Sequence, residues 1–161
     1  MEIKLVDIDD TFEKEIWFWR NDPETRNMSF NQDKISWEDH CIWFKRYLIN
    51  QEKRCFIGKF NSNNIGILRF DKNMNFENSY SISIIISPKY RGIGFGKFFL
   101  DKGINKIWET ENEIKNLFAD VKKNNEKSFQ LFRKLKFRIH SESNTKTIFV
   151  LNKKSFIENM E

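Results

Sequence analysis

The stretch from Ser79 to Ser87 constrains the fold more than any other. It contains Ile82, Ile84, Ile85 and Ile86, a β-branched and nearly continuous apolar run. A strand with one wet face alternates polar and apolar residues, so a run without alternation reads as a strand covered on both faces, at the centre of its sheet. Helices must then lie on both sides. A chain of 161 residues is long enough to build such a layered core, and with only two prolines and six glycines it offers no linker at which to divide. One domain over 1–161 is expected.

The segment just after that strand carries the chemistry. Beyond Ser87-Pro88 the chain turns through Arg91-Gly92-Ile93-Gly94-Phe95-Gly96 and enters a helical pattern at Lys97. The first turn of a helix leaves backbone N–H groups unpaired and carries partial positive charge, which suits a diphosphate. Glycine lets phosphate oxygens approach the backbone with no Cβ in the way. Arg91 and Lys97 would add mobile positive charge at the two ends of the turn. A dinucleotide fingerprint fails on spacing, G-x-G-x-G in place of G-x-G-x-x-G, and a nucleoside-triphosphate loop fails for want of G-K-S/T. A plain strand-to-helix turn without ligand remains open on the glycines alone.

The rest of the chain supplies the layers. Glu2 to Ile8 reads as a strand, and Thr11 to Arg20 as a helix stopped by Asn21-Asp22-Pro23. Ser36-Trp37-Glu38-Asp39 fits a capping box that opens a second helix, with Trp37, Cys41, Phe44 and Leu48 as its buried stripe and His40 beside it. Strands over 54–60, 64–71 and 79–87 form an antiparallel meander. A helix over 97–109, interrupted by Gly103, leads to a strand over 117–121, a helix over 125–135 and strands over 137–141 and 146–152. The order β α α β β β α β α β β implies an α+β fold: a central mixed, mostly antiparallel sheet of about seven strands with four helices.

Composition narrows the function classes. The 28 Lys+Arg against 23 Asp+Glu give +5, spread along the chain. No zinc finger, basic helix or nucleic-acid-binding aromatic motif accompanies that charge, so nucleic acid is not the expected partner. No run approaches the apolar length of a membrane span, and the N-terminus does not begin a signal peptide, so a cytoplasmic protein without membrane partner is expected. Cys41, Cys55, His40 and His140 do not assemble into a metal site, which predicts no metal and reduced thiols.

Arg91-x-x-Gly94-x-Gly96 after a strand resembles the coenzyme A signature Q/R-x-x-G-x-G/A of the GNAT superfamily of N-acetyltransferases. The segment from Asn125 through Ser128 and Phe132 to Lys136-Phe137 is similar to that family's second motif, N-x-x-S/A-x-x-x-Y-x-K-x-G-F. The resemblance implies the acyl-CoA N-acyltransferase fold and acetyl-CoA as acyl donor. It implies strands four and five splayed apart, the pantetheine arm on the backbone near Ile84 and Ile86, the diphosphate on Arg91, Gly92, Ile93, Gly94, Phe95, Gly96 and Lys97, and Asn125 and Ser128 beside the arm. The family's tyrosine acid falls at Phe132, which has no proton to give, and its strand-four carboxylate falls near Ser81. Lys136 stands where glycine is usual, suggesting an altered helix end.

Trp19-Arg20-Asn21 and Glu38-Asp39-His40-Cys41-Ile42-Trp43 resemble the branch of that family that acetylates 4-amino sugars on nucleotide carriers. This implies an acceptor site of Arg20, Asn21, Arg26, Met28, Phe30 and His40, with Trp19 as a further apolar wall. His40 and Ser81 are the candidate catalytic residues. A small-molecule amine is the expected partner, a nucleotide-linked amino sugar first, with a homodimer compatible. A ribosomal-protein or other peptide N-terminal acetyltransferase and a catalytically silent coenzyme A-binding module are the alternatives.

Overall fold

The computed structural model describes residues 2–158; Met1 and residues 159–161, which the expected domain included, lie outside them. Seven strands form one sheet in the order β1-β2-β3-β4-β5-β7-β6. They are β1 (Lys4–Asp7), β2 (Lys53–Phe60), β3 (Asn63–Lys72), β4 (Ser79–Ile86), β5 (Asn116–Lys122), β6 (Arg138–Glu142) and β7 (Lys146–Asn152). Every neighbouring pair is antiparallel except β4 with β5. The seven strands, the meander and the central place of the isoleucine strand match the sequence expectation.

The sheet is covered on both faces. The long helix α4 (Phe95–Thr110) and α5 (Glu126–Lys134) pack on one side, where Leu68, Phe70, Ile82, Phe99, Leu100, Ile104 and Phe149 are buried. Helices α1 (Glu13–Asn21) and α3 (Trp37–Ile49) cover the other through Ile16, Trp19, Phe44 and Tyr47 against Cys55, Ile57 and Ile67. Gly103 explains its own place in α4: a Cβ there would sit 2.2 Å from the buried Leu68 side chain, so helix and sheet meet where the glycine is.

Six α-helices are present among the described residues, not four. The added ones are α2 (Pro23–Met28) and α6 (Lys153–Glu158). Pro23 does not merely end α1; it occupies the first turn of α2, where its missing N–H costs nothing, and Asp22 caps that helix by accepting from Thr25 N–H at 3.0 Å. Helix α4 also starts at Phe95 rather than Lys97. On α3 the buried stripe is His40, Phe44 and Tyr47; Trp37 is exposed, and Cys41 and Leu48 are only partly covered, so the expected stripe is rotated.

Lys136 keeps the left-handed backbone (φ +66) that a glycine would take, with Phe137 N–H donating to the Phe132 carbonyl at 3.1 Å. This is the usual left-handed helix stop. The expected altered helix end is therefore corrected: the geometry is kept and Lys136 carries the strain.

Candidate active site

Strands β4 and β5 are paired only over Ser79–Ser81 and Asn116–Phe118, although β4 runs on to Ile86 and β5 to Lys122. Beyond Ser81 the sheet is split. In an antiparallel ladder alternate residues bond to a given neighbour. Ser87 N–H donates to the Ile65 carbonyl at 2.8 Å and Asn73 N–H to the Ser79 carbonyl at 2.9 Å, so the odd-numbered residues of β4 are bonded to β3. Ile82, Ile84 and Ile86 therefore turn their main-chain groups to the gap. The Ile86 carbonyl accepts from Arg91 Nε at 3.1 Å, and the last β4–β5 pair, Ser81 with Phe118, engages the Ile82 N–H, so the edge left open to the gap is the Ile82 carbonyl and the backbone of Ile84.

The glycine turn lies at one end of that edge. Gly92 (φ +77) and Gly94 (φ +91) have left-handed backbones, and a Cβ on either would meet no atom within 4 Å. Gly94 stands at the N-cap of α4 with no side chain capping the helix, so the amides of its first turn, Phe95, Gly96 and Lys97, are left to a ligand. Open space, uncapped amides and a long helix behind them fit a diphosphate. Ile93 is exposed and turned away from the gap, whereas Phe95 is a core residue, edge-on to Phe60 and Tyr90. Asn125 caps α5 by accepting from Ser128 N–H at 3.1 Å, and both residues face the gap.

A continuous cleft of ≈ 1430 Å³ runs from this turn through the split to the other face of the sheet. Its far part is lined by Arg20, Met28, Phe30, His40, Trp43 and, from β3 and β4, Arg69, Asp71, Ser81 and Ser83. Ser81 Oγ accepts from Asn73 Nδ2 at 3.0 Å, beside the point where β4 and β5 part. Phe132 reaches the cleft as a buried ring stacked on Phe149 and edge-on to Phe137.

The family model for the acetyltransferase (GNAT) domain matches residues 2–138. The chain belongs to that family. Acetyl-CoA-dependent N-acetyl transfer is accordingly its chemistry. Among solved structures, the spermidine N-acetyltransferase of Vibrio cholerae in complex with CoA and spermine superposes with a TM-score of 0.86 at 15% identity, over 96% of this chain and 98% of that one. A domain from Methanocaldococcus jannaschii gives 0.80 at 20%, over 94% and 98%. The Campylobacter jejuni N-acetyltransferase PseH in complex with acetyl coenzyme A gives 0.71 at 21%, over 94% and 99%. These likenesses establish the fold. No curated protein sequence matches the chain significantly.

In this GNAT acetyltransferase several expected acceptor residues turn out to be structural. Asn21 is pinned to Ile35 by both amide atoms, donating to its carbonyl at 2.9 Å and accepting from its N–H at 2.8 Å. Arg26 donates to the carbonyls of Asn21 (3.2 Å) and Gln32 (3.1 Å), away from the cleft. Trp19 is core. For Asn21 and Arg26 the reason is shared: main-chain groups at the end of α1 and in the loop after α2 need partners, and these two side chains supply them. Arg91 is not a mobile charge either, since four hydrogen bonds fix its guanidinium.

His40 is buried within the stripe, not beside it. Its Nε2 lies 2.7 Å from the Glu13 carbonyl, so that nitrogen carries the proton and Nδ1 does not. Burial lowers its pKa, against the opposing pull of Glu13, and holds the ring neutral.

Arg69 was missed by sequence reasoning. It faces the cleft from β3, flanked by the rings of Trp43 and Tyr47 at 5.5 Å each, and pairs with Asp71 at 3.1 Å. Its only sequence signal is a charge placed between Leu68 and Phe70, on the opposite strand face. Arg20 donates to Ser29 Oγ (3.1 Å) and the Asn31 carbonyl (3.2 Å) and, among the described residues, pairs with no carboxylate. Burial first, and Arg69 second, lower its pKa, so the two guanidinium groups feel one another across the cleft.

Proposed function

We propose that the acceptor is an anionic amine, a 4-amino sugar on a nucleotide carrier, acetylated from acetyl-CoA in the cytoplasm. The observation that carries this is the charge of the acceptor half of the cleft. Arg20 has no carboxylate partner among the described residues, and Asp71, shared between Arg69 and the Tyr47 hydroxyl (2.9 Å), is already engaged. Glu24 is paired with Arg91 and Lys127, and Asp120 with Lys146, while Glu126, which also lines the cleft, stands on α5 beside Asn125 and accepts from Gln130 Nε2 at 2.6 Å. A polyamine would need carboxylates free to receive it; a diphosphate meets Arg20 directly, with Arg69, paired to Asp71, beside it. Met28 and Phe30 offer the apolar wall beside them.

In this reading the bound cosubstrate supplies an acetyl thioester. The first-turn amides of α4, with Lys97, hold the diphosphate. The edge formed by the Ile82 carbonyl and the Ile84 backbone receives the pantetheine arm as an added strand, with Asn125 and Ser128 along its other side. From Ile86 back to Ile82 is roughly 13 Å at about 3.3 Å per residue, which delivers the arm's end beside Ser81, where the gap closes. The acceptor amine enters from the opposite face of the sheet.

Ser81, whose oxygen already accepts from Asn73, keeps its hydroxyl hydrogen to donate, a polarising role and not that of a base. Neutral His40 orients the acceptor through Nδ1. Phe132 donates no proton, so as the neutral amine attacks the thioester and the C–S bond breaks, coenzyme A leaves as the thiolate, the proton shed by the new amide nitrogen passes to that thiolate or to water, and the rate comes from positioning.

Thiol release with acetyl-CoA tests the reading. A nucleotide-linked 4-amino sugar should give a kcat/KM well above that of spermidine or an N-terminal peptide. Faster turnover of spermidine would replace it with the polyamine reading.

A further inference from the structure

The coenzyme A turn and the acceptor segment are tied together by one side chain. Arg91 Nη1 donates to Asp22 Oδ2 (2.7 Å) and Glu24 Oε2 (3.1 Å), Nη2 donates to Thr25 Oγ1 (2.7 Å), and Nε donates to the Ile86 carbonyl (3.1 Å). Its side chain is 19% exposed. Three of these partners belong to α2 or its cap, and the fourth is the end of β4. From the other lip of the split, Lys127 on α5 reaches Glu24 Oε1 (2.6 Å), and Lys122 at the end of β5 reaches the Asn27 carbonyl (2.9 Å). Helix α2 therefore spans the gap, held from both sides, and Met28, Ser29 and Phe30 lead from it into the acceptor half of the cleft.

We propose that Arg91 is a positioning residue for the acceptor site and not a phosphate ligand: it holds α2 across the split sheet so that Arg20, Met28 and Phe30 face the gap. This rests on the reading of that half of the cleft as the acceptor site. Four of the five donors of this guanidinium are engaged, leaving a single Nη2 hydrogen, and turning the group to clamp a diphosphate would abandon both carboxylates. The position that opens the coenzyme A signature thus serves the other substrate, while the amides behind it serve the cofactor.

The test compares Arg91→Ala, Arg91→Lys and the double variant Asp22→Asn/Glu24→Gln, which keeps the bond to Ile86 and a competent cap at position 22. CoA binding is measured by calorimetry, uridine diphosphate binding serves as the acceptor-side probe, and amide exchange is followed over residues 23–30. Arg91→Ala and the double variant should each weaken uridine diphosphate binding about tenfold and speed exchange about tenfold, with CoA affinity kept within about threefold and Arg91→Lys recovering part of both losses. Should Arg91→Ala fail to fold, the double variant decides alone. A tenfold loss of CoA affinity with unchanged exchange overturns the proposal, as does unchanged exchange in the double variant. Wild type that binds CoA but no uridine diphosphate defeats the nucleotide reading and leaves the exchange and CoA measurements to judge Arg91.

Discussion

Gly94→Ala separates the folding role of the glycine turn from its binding role. Gly94 has φ +91 and ψ −4 at the N-cap of α4. An L-residue in left-handed backbone costs about 1–2 kcal/mol, and a chain of this size loses roughly 2–4 °C of Tm per kcal/mol. The variant should therefore melt about 2–8 °C lower. That strain is present with or without cofactor as long as the turn keeps its shape, so it leaves CoA affinity alone.

The methyl group acts differently, by volume. No protein atom lies within 4 Å of where it would stand, so packing is undisturbed. The space it would occupy is where, in the proposed reading, a diphosphate reaches the amides of Phe95 to Lys97. Losing one hydrogen bond to a charged oxygen costs about 1.5–3 kcal/mol, which raises the Kd for CoA roughly 10- to 100-fold. Calorimetry with CoA, beside thermal melts of the same preparations, reads both quantities. A lower Tm with CoA affinity within about twofold of wild type would show that the diphosphate binds elsewhere, and the cofactor assignment of the turn would fall.

Arg20→Ala should raise KM for a nucleotide-linked amino sugar by about tenfold or more and leave KM for acetyl-CoA unchanged, because its guanidinium has no carboxylate among the described residues to satisfy first; equal effects on both would point to general disorder of the loop. Lys136→Gly should raise Tm by a few degrees: it removes about 1–2 kcal/mol of left-handed strain and returns about 0.5–1 kcal/mol as backbone entropy. A lower Tm would show that the lysine side chain is worth more than the strain. His40 titrates below its ordinary value because it is buried. The unfolded chain then takes up its proton first, near pH ~6.5, and stability falls as pH drops from there toward the folded pKa. The Tm advantage of wild type over His40→Phe should shrink between about pH 8 and pH 5.5, and parallel melting curves would contradict this.

The parts of the fold that were legible in the sequence are those whose signal is local. The isoleucines of β4 and the glycines after them each need their own residue type, whatever the rest of the chain does. Helix α2 was hidden because Pro23 marks a stop and a start equally well, and only Asp22, bonded to the Thr25 amide, reveals the start. The α3 stripe was misphased by a polar residue: His40 looks like surface until the Glu13 carbonyl that satisfies it comes from another helix. The arginines make the same point for function. Arg20, Arg26, Arg69 and Arg91 are equivalent as letters, but Arg26 is spent on carbonyls and Arg91 on carboxylates, while Arg69 shares one carboxylate and Arg20 has none among the described residues. An anion site depends on guanidinium charge left unneutralised, not on the number of arginines, and that difference is set by partners as far as 69 residues away in the chain. In the proposed reading it is therefore Arg20, with no carboxylate among the described residues, more than the motif around it, that argues for a phosphate-bearing acceptor.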